Sequence, residues 1–153
     1  MFTRRARPVG DTALGDGDDG RVLTPARLSC DIALEGWRAQ RYGRHLVIVA
    51  VVPQLLPGDE IGQAELNTAT GAVVSRLRRT DRVGLTTDRA IVCLLPETEE
   101  RGGRSAGHRL AAQLMLSSRA ATQRNWLYGV AEHREEVLAE DLIASALADA
   151  RGR

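Results

Sequence analysis

The chain contains no lysine. All 21 of its basic residues are arginine, and they balance 20 acidic residues to a net charge of +1. The absence of lysine excludes chemistry that needs a primary amine, such as Schiff-base formation. The low net charge gives no electrostatic reason to expect binding to nucleic acid or to an anionic membrane. The arginine bias is typical of a GC-rich bacterial genome, and it supplies many planar groups that bind carboxylates and phosphates bidentately.

Cysteine and histidine are scarce, with two and three residues. Cys30 and Cys93 have neither a metal-ligand spacing nor a Cys-x-x-Cys partner, and the apolar run around Cys93 predicts a buried thiol. No residues have the spacing of a nucleophile with its base, so we predict no catalytic residues and no cofactor. No apolar run reaches membrane-spanning length and no apolar segment follows the N-terminal arginines, so we predict a cytoplasmic protein without membrane insertion.

The first 21 residues are rich in Gly, Asp and Arg and carry few large apolar groups. Such a segment cannot bury enough surface to offset its ordering entropy, so we predict a disordered N-terminal tail over residues 1–21. The remaining residues, 22–153, are enough for one domain of ordinary size and too few for two.

Hydrophobic periodicity predicts four helices and four strands in this domain. Thr24 followed by Pro25 indicates a helix start, and the β-branched run 45–52 indicates a central strand covered on both faces. The predicted elements are a helix from 24 to about 41, a strand 45–52, a helix 59–79, strands 82–85 and 90–95, a helix 104–118, a strand 126–131 and a helix 137–150. They imply an α/β (α+β) fold with helices on both faces of a mostly antiparallel central sheet of four to five strands. We expect Trp37 and Trp126 to be core or helix-packing residues and not ligand platforms.

The segment Leu77–Thr98 carries the most specific pattern in the chain. A helix end with Arg-x-x-Asp is followed by a strand, a turn and a second strand that runs into Leu94-Leu95-Pro96. This order and spacing resembles the signature region of GGDEF domains, which build cyclic di-GMP from two GTP. The resemblance covers nearly the whole chain after residue 22, including Leu23-Thr24-Pro25 near the start and Gly129-Val130-Ala131 in the last strand. It implies a nucleotidyl cyclase-like fold.

The resemblance also implies that the metal ligands of the signature turn are lost. The five signature positions fall on Thr87, Asp88, Arg89, Ala90 and Ile91, so Arg89 and Ala90 stand where the family has paired acids. Asp88 is displaced by one residue, which in an extended hairpin points a side chain to the opposite face. Because joining a 3′-hydroxyl to an α-phosphate needs a divalent metal held by hard oxygen ligands, we expect a degenerate, catalytically inactive domain without a metal site.

A second ligand set that the resemblance implies is also missing. The strand 45–52 runs directly into Pro53-Gln54-Leu55-Leu56-Pro57, without the acid that ends the family's first core strand. The segment that recognises guanine in the family is shortened at the same place. An enzymatic alternative would need a metal held by Asp59, Glu60 or Asp88.

The Arg-x-x-Asp motif is Arg78-Arg79-Thr80-Asp81, and five residues separate it from Thr87. In the family, an Arg-x-x-Asp at this spacing binds the product cyclic di-GMP. The resemblance therefore implies that Arg78 reads the Hoogsteen edge of guanine and that Asp81 accepts from its N1 and N2 hydrogens. Arg79 and Arg82 would add phosphate contacts.

Two other interpretations of these residues stay open. Arginines near a helix C-terminus also interact favourably with its dipole, and Asp is common just after a helix end, so the motif alone does not establish a ligand. A domain without metal ligands can instead act as a scaffold that docks onto a protein partner or onto a second copy. Exposed leucines at Leu55 and Leu56 would suit such a contact.

Overall fold

A mixed five-stranded sheet with two helices on each face forms the centre of the structure, a computed structural model that describes residues 21–117 and 124–152. Its elements are β1 (Val22–Leu23), α1 (Pro25–Tyr42), β2 (Leu46–Pro53), α2 (Gln63–Val74), β3 (Arg82–Leu85), β4 (Ile91–Pro96), α3 (Glu100–Ser117), β5 (Trp126–Glu132) and α4 (Ala139–Arg151). The strand order is β1-β3-β4-β2-β5, and only the β1–β3 pair is parallel. The predicted fold class is confirmed.

Strand β2 is the central strand that its continuous apolar run predicts. It pairs antiparallel with both β4 and β5, and residues 46–52 are all buried. Because successive side chains of a strand point to opposite faces, Val47 and its odd-numbered neighbours pack under α2 and α3. Ile48 and its even-numbered neighbours pack under α1 and α4. One strand therefore contributes to both hydrophobic layers.

The predicted start of α1 is confirmed in detail. The Thr24 hydroxyl accepts a hydrogen bond from the Arg27 backbone N–H, and Pro25 occupies the first turn. The helix ends at Gly43, whose φ of 60° lets its N–H bond back to the last carbonyls. The short strand β1 was not predicted, because two residues are too few to show a periodic pattern.

The prediction for the second helix is wrong in length. It extended over 59–79, whereas α2 covers only Gln63–Val74. Gly58 adopts a φ of 80° and Gly62 is extended, so the chain enters the helix late. At the other end Arg76 donates to the Val73 carbonyl, which replaces the helix with turns before β3.

Helix α3 begins at Glu100, four residues before the predicted start at 104. Gly102 and Gly103 lie just before the predicted start, and glycine disfavours the interior of a helix. The structure explains them by close packing: a Cβ at Gly103 would lie 2.5 Å from Val47, and one at Gly107 would lie 2.5 Å from Tyr128. The glycines let α3 approach the sheet.

The two tryptophans have different environments. Trp126 is buried, as predicted, but the prediction for Trp37 is wrong, because 54% of its surface is exposed on the outer face of α1. Cys93 is buried in β4, and burial raises the pKa of its thiol to about 12.

The predicted tail lies outside the described residues except for Arg21, whose guanidinium donates to the Arg78 carbonyl. Across residues 21–117 and 124–152, the helices are too short or too polar to cross a membrane.

Gly129 is predicted to be essential for the packing of α4 on β5. A Cβ at this position would lie 2.1 Å from the Ala146 carbonyl oxygen and 2.2 Å from the Ala150 nitrogen, both rigid backbone atoms. Gly129→Ala should therefore lower the free energy of unfolding by about 3 kcal/mol or more, measured by urea denaturation. Gly71→Ala is the matched control, because it meets no atom within 4 Å and should raise stability by about 0.5–1 kcal/mol. Equal stability of the two variants would contradict this packing.

His133 should make the fold less stable in acid. Its ring packs against Gly36 of α1, and burial lowers the pKa of the imidazole below 6.5. His133 is therefore protonated more readily in the unfolded chain than in the folded chain. The free energy of unfolding should consequently fall as the pH drops through 6.5. Urea denaturation at about pH 7.5 and about pH 5.5 measures this, and His133→Gln should remove part of the decrease. An unchanged pH dependence in that variant would count against the role of His133.

Candidate functional site

The signature turn, residues 86–90, is a tight hairpin that is held by its own side chains. Arg89 donates its backbone N–H to the Thr86 carbonyl and adopts a φ of 64°. The Thr86 hydroxyl accepts from the Ala90 backbone N–H at 3.0 Å and donates to the Asp88 carboxylate. Ala90 and Ile91, the last two signature positions, are buried in the sheet. Only Thr87, Asp88 and Arg89 of the five signature positions reach the surface.

An open cleft of about 560 Å³ lies beside the turn, between the end of β2 and the end of α4. We call it the turn cleft; it is lined by Val52, Pro53, Gln54, Leu55, Glu60, Ile61, Thr87, Asp88, Arg89, Ala90, Leu127 and Arg151. Arg89 crosses it and donates from Nη1 to the Ile61 carbonyl oxygen at 2.7 Å. The side chain at the position of a family metal ligand is therefore a cation that joins the turn to the β2–α2 loop.

Asp88, which lines the turn cleft, and Asp59 and Glu65 near it are paired with arginines, whereas Glu60, which also lines the cleft, forms no ion pair with the described residues. Asp88 accepts from Arg151 at 3.0 Å, and its bond from Thr86 together with this arginine lowers the pKa of its carboxyl. Asp59 accepts from Arg124, which lowers the pKa of Asp59. The same guanidinium donates to Glu65 at 2.8 Å. Asp59 and Asp88 are thus each held as anions beside a guanidinium that balances their charge.

This donor set does not fit a magnesium ion. Mg²⁺ needs several free oxygen ligands in an octahedral arrangement. Among residues 21–117 and 124–152, no three His, Cys, Asp or Glu side chains come together in a group that could hold a metal. Of the three acids that the enzymatic alternative names, Asp59 and Asp88 are paired with Arg124 and Arg151, and Glu60 alone remains without an ion pair to the described residues.

A second and larger cleft contains the Arg-x-x-Asp motif. It has a volume of about 1220 Å³ and lies between the segment after α2, the segment after β4 and the outer face of α3. Four arginines line it, so we call it the arginine cleft: Arg76, Arg78, Arg101 and Arg109. The acids that line it are Asp81, Glu97 and Glu99.

Arg78 and Asp81 form a closed pair at one wall of the arginine cleft. The Asp81 carboxylate accepts from the Arg78 backbone N–H at 2.9 Å, from Nε at 3.3 Å and from Nη2 at 3.2 Å. Only 4% of the Asp81 side chain is exposed, against 60% for Arg78. Nη2 of Arg78 also donates to the Thr98 hydroxyl at 2.9 Å. Asp81 therefore fixes the direction of a guanidinium that faces the cleft.

The structure separates the four predicted ligand-binding residues. Arg78 and Asp81 line the arginine cleft, whereas Arg82 lines a different groove between β1, β3 and α1. Arg79 is exposed on the intervening turn and lines neither. The phosphate contacts assigned to Arg79 and Arg82 stay predictions.

Sequence reasoning missed the other cations of the arginine cleft. Arg101, Ser105, Arg109 and Ala112 recur every three to four residues along one side of α3, a spacing that places them on one helix face. This signal was present in the sequence, but Arg101 lies before the predicted helix start. Among the described residues, Arg76, Arg101 and Arg109 form no ion pair, and the cleft as a whole has four arginines against three acids.

Solved structures with this arrangement of strands and helices identify the fold. It is the GGDEF fold. The diguanylate cyclase SiaD of Pseudomonas aeruginosa, solved with its activator SiaC, matches 84% of this chain with a TM-score of 0.72 and 22% identity. This chain spans only 54% of SiaD, about half its length.

Two further structures match over most of both chains. The GGDEF domain of FimX from Pseudomonas aeruginosa has a TM-score of 0.71 and 13% identity, over 86% of this chain and 88% of that one. The GGDEF domain of DgcB from Caulobacter crescentus, solved in complex with c-di-GMP, has a TM-score of 0.73 and 12% identity, over 98% and 92%. No known protein-family model and no curated protein matches the sequence. The GGDEF fold is therefore established by structure alone.

Proposed function

We propose that this chain is a regulatory GGDEF-fold domain that binds cyclic di-GMP in the arginine cleft and does not synthesise it. The observation that carries the proposal is the Arg78–Asp81 pair, which holds a directed guanidinium at the wall of a cleft with three further arginines. The ligand offers two guanines and two phosphates, and guanidinium groups are suited to both.

In this proposal the motif residues have distinct roles. Arg78 keeps Nη1 free of any intramolecular bond within the described part of the chain, so this nitrogen can donate to guanine O6 or N7. Asp81 orients Arg78, and it can accept from guanine N1 and N2 only after releasing that side chain. Arg101 and Arg109 lie eight residues apart on α3, about 12 Å along its axis, so they can contact the ligand at separate points.

The loss of catalysis is supported by the turn cleft. Phosphoryl chemistry needs a cation between the reacting phosphates and the protein's carboxylates. Here Arg89 and Arg151 lie where carboxylates would have to be free, and Asp88 is already paired with Arg151. The DgcB domain, which has the same fold, was solved with c-di-GMP, so the scaffold accommodates this ligand in a relative.

A second candidate function is a scaffold that binds a protein partner and no nucleotide. Leu56 is 76% exposed and Leu55 is 40% exposed in the loop after β2, an apolar tip that the fold does not bury. SiaD was solved with a protein activator, so docking of another protein onto a GGDEF fold has a precedent. Such a complex should tolerate Arg78→Ala and Asp81→Ala in a pull-down.

Isothermal titration calorimetry with cyclic di-GMP separates the two candidates. The wild type should bind in the micromolar range. Its Arg78 donates one charged hydrogen bond to guanine in this proposal, so Arg78→Ala should weaken binding about tenfold by removing it. Asp81→Ala should also lose binding because Arg78 loses its orientation. Arg134→Ala is the matched control, since this exposed arginine lies outside the cleft and should bind normally.

Asp81→Ala also removes three hydrogen bonds, so circular dichroism must establish that this variant is folded at the titration temperature. A flat titration of the wild type would refute the receptor function and favour the scaffold.

Incubation with GTP and Mg²⁺ or Mn²⁺ tests the absence of synthesis. We expect no cyclic product by chromatography, because no group of acids at the turn cleft can hold the metal. An active GGDEF domain assayed in parallel verifies the conditions. Turnover by the wild type that is lost in Asp88→Asn would overturn this part of the proposal.

A further inference from the structure

The outer face of α1 carries an apolar stripe that no other described element covers. Cys30, Leu34, Trp37 and Arg41 are spaced by four, three and four residues, the spacing of the contact positions in paired helices. We call these four residues the α1 stripe. Leu34 and Trp37 expose 47% and 54% of their surface. The opposite face of the helix, with Leu28, Ile32, Gly36 and Ala39, packs on the sheet, so the stripe faces solvent.

The C-terminal end of the stripe is held in one conformation. The Arg41 guanidinium lies 5.1 Å from the centre of the Trp37 ring and 5.8 Å from that of Tyr42. The Arg44 guanidinium lies 5.8 Å from the centre of the same Tyr42 ring, so Tyr42 contacts two arginines and Trp37 contacts one. Side chains that are ordered before association lose little entropy on binding, and aromatic and arginine side chains are the usual anchors of interfaces.

We propose that the α1 stripe is the contact surface for a second copy of this chain, with the two α1 helices antiparallel. The charge pattern beside the stripe is self-complementary in this arrangement only. Asp31 and Arg38 lie on the same flank, seven residues apart. A two-fold axis midway between Leu34 and Trp37 brings Asp31 of each copy within about 3 Å, along the helix axis, of Arg38 of the other.

The same register places the stripe residues against different partners. Leu34 of one copy packs on Trp37 of the other, and Cys30 faces Arg41, so like charges do not meet. A parallel arrangement would oppose Arg41 to Arg41 and is disfavoured.

The ion pairs that Asp31 and Arg38 form within one chain do not prevent the pair between copies. Asp31 is paired with Arg27 at 3.2 Å and Arg38 with Glu35 at 2.7 Å, both along the helix surface. Arg27 and Arg38 are 70% and 52% exposed, but Asp31 is only 15% exposed, so Arg38 of the second copy would share the Asp31 carboxylate with Arg27 and not replace it. One helix pair covers less than a standard interface of about 800 Å² per partner, and we expect self-association in the micromolar range.

Sedimentation velocity without nucleotide tests the surface. The wild type should convert from monomer to dimer between low and high micromolar concentration, and Trp37→Ala should remain a monomer. Leu138→Ala is the matched control, an exposed leucine outside the stripe that should dimerise like the wild type. A wild type that stays monomeric throughout, or a Trp37→Ala variant that still dimerises, would overturn the proposal.

Charge reversal tests the orientation of the helices. Arg38→Asp should weaken the dimer about tenfold, and the double variant Asp31→Arg with Arg38→Asp should restore it, because the antiparallel pair is rebuilt with its charges exchanged. Circular dichroism checks that both variants stay folded. A folded double variant that fails to regain dimerisation would refute the antiparallel arrangement. Arg78→Ala should dimerise normally, so this result is independent of cyclic di-GMP binding.

Discussion

A carboxylate that already accepts hydrogen bonds from a guanidinium cannot hold Mg²⁺ without giving up that pair. This constraint acts at several places in the molecule, because all 21 basic residues are arginine and arginine stays charged at any accessible pH. Asp88 is engaged by Arg151, Asp59 by Arg124 and Asp81 by Arg78. These three acids therefore serve to orient arginines. In a metal-dependent enzyme, by contrast, such carboxylates are left free to bind a metal cation from solution.

The sheet fixes where these pairs lie. Because β2 is buried on both faces and paired on both edges, the turn after β3 and the loop after β2 are held next to each other at one end of the strands. Arg89 can then reach the Ile61 carbonyl across the turn cleft. Arg124 donates to the neighbouring Glu60 carbonyl and so also holds the loop after β2. Close approach of α3 and α4 to the sheet, which needs Gly103 and Gly129, sets the walls of the two clefts.

Four of the five strands, all but β1, could be predicted from the sequence because their signals are local. The run 45–52 and the hairpin around the signature turn are apolar, β-branched and bounded by turn residues, and they agree with the structure to within one residue. Helix α2 was predicted too long because periodicity continues past its end, although Gly62 and the turn at Ser75 break the backbone.

Pairings across the fold could not be predicted in the same way. Arg124 and Asp59 are 65 residues apart, and only the sheet brings them together. The Arg78–Asp81 motif was found because it is local, whereas Arg109 was missed because its relation to Arg78 depends on how α3 packs. The exposure of Trp37 was mispredicted for a related reason. A tryptophan in a helix is usually buried, and the α1 stripe becomes visible only when the opposite face of the helix is known to cover the sheet.

The two proposed surfaces lie on opposite layers of the sheet, but they are joined at one point. Arg44, which contacts the Tyr42 ring beside the α1 stripe, also forms an ion pair with Glu97, and Glu97 lines the arginine cleft. Cyclic di-GMP is an anion, so its entry repels Glu97 and weakens the hold of that carboxylate on Arg44. The two proposals together link ligand binding and self-association through this ion pair. The link is reciprocal: the factor by which dimerisation changes the affinity for the ligand equals the factor by which the ligand changes the affinity of dimerisation. Because both partners are more than half exposed, the coupling through this single pair is weak.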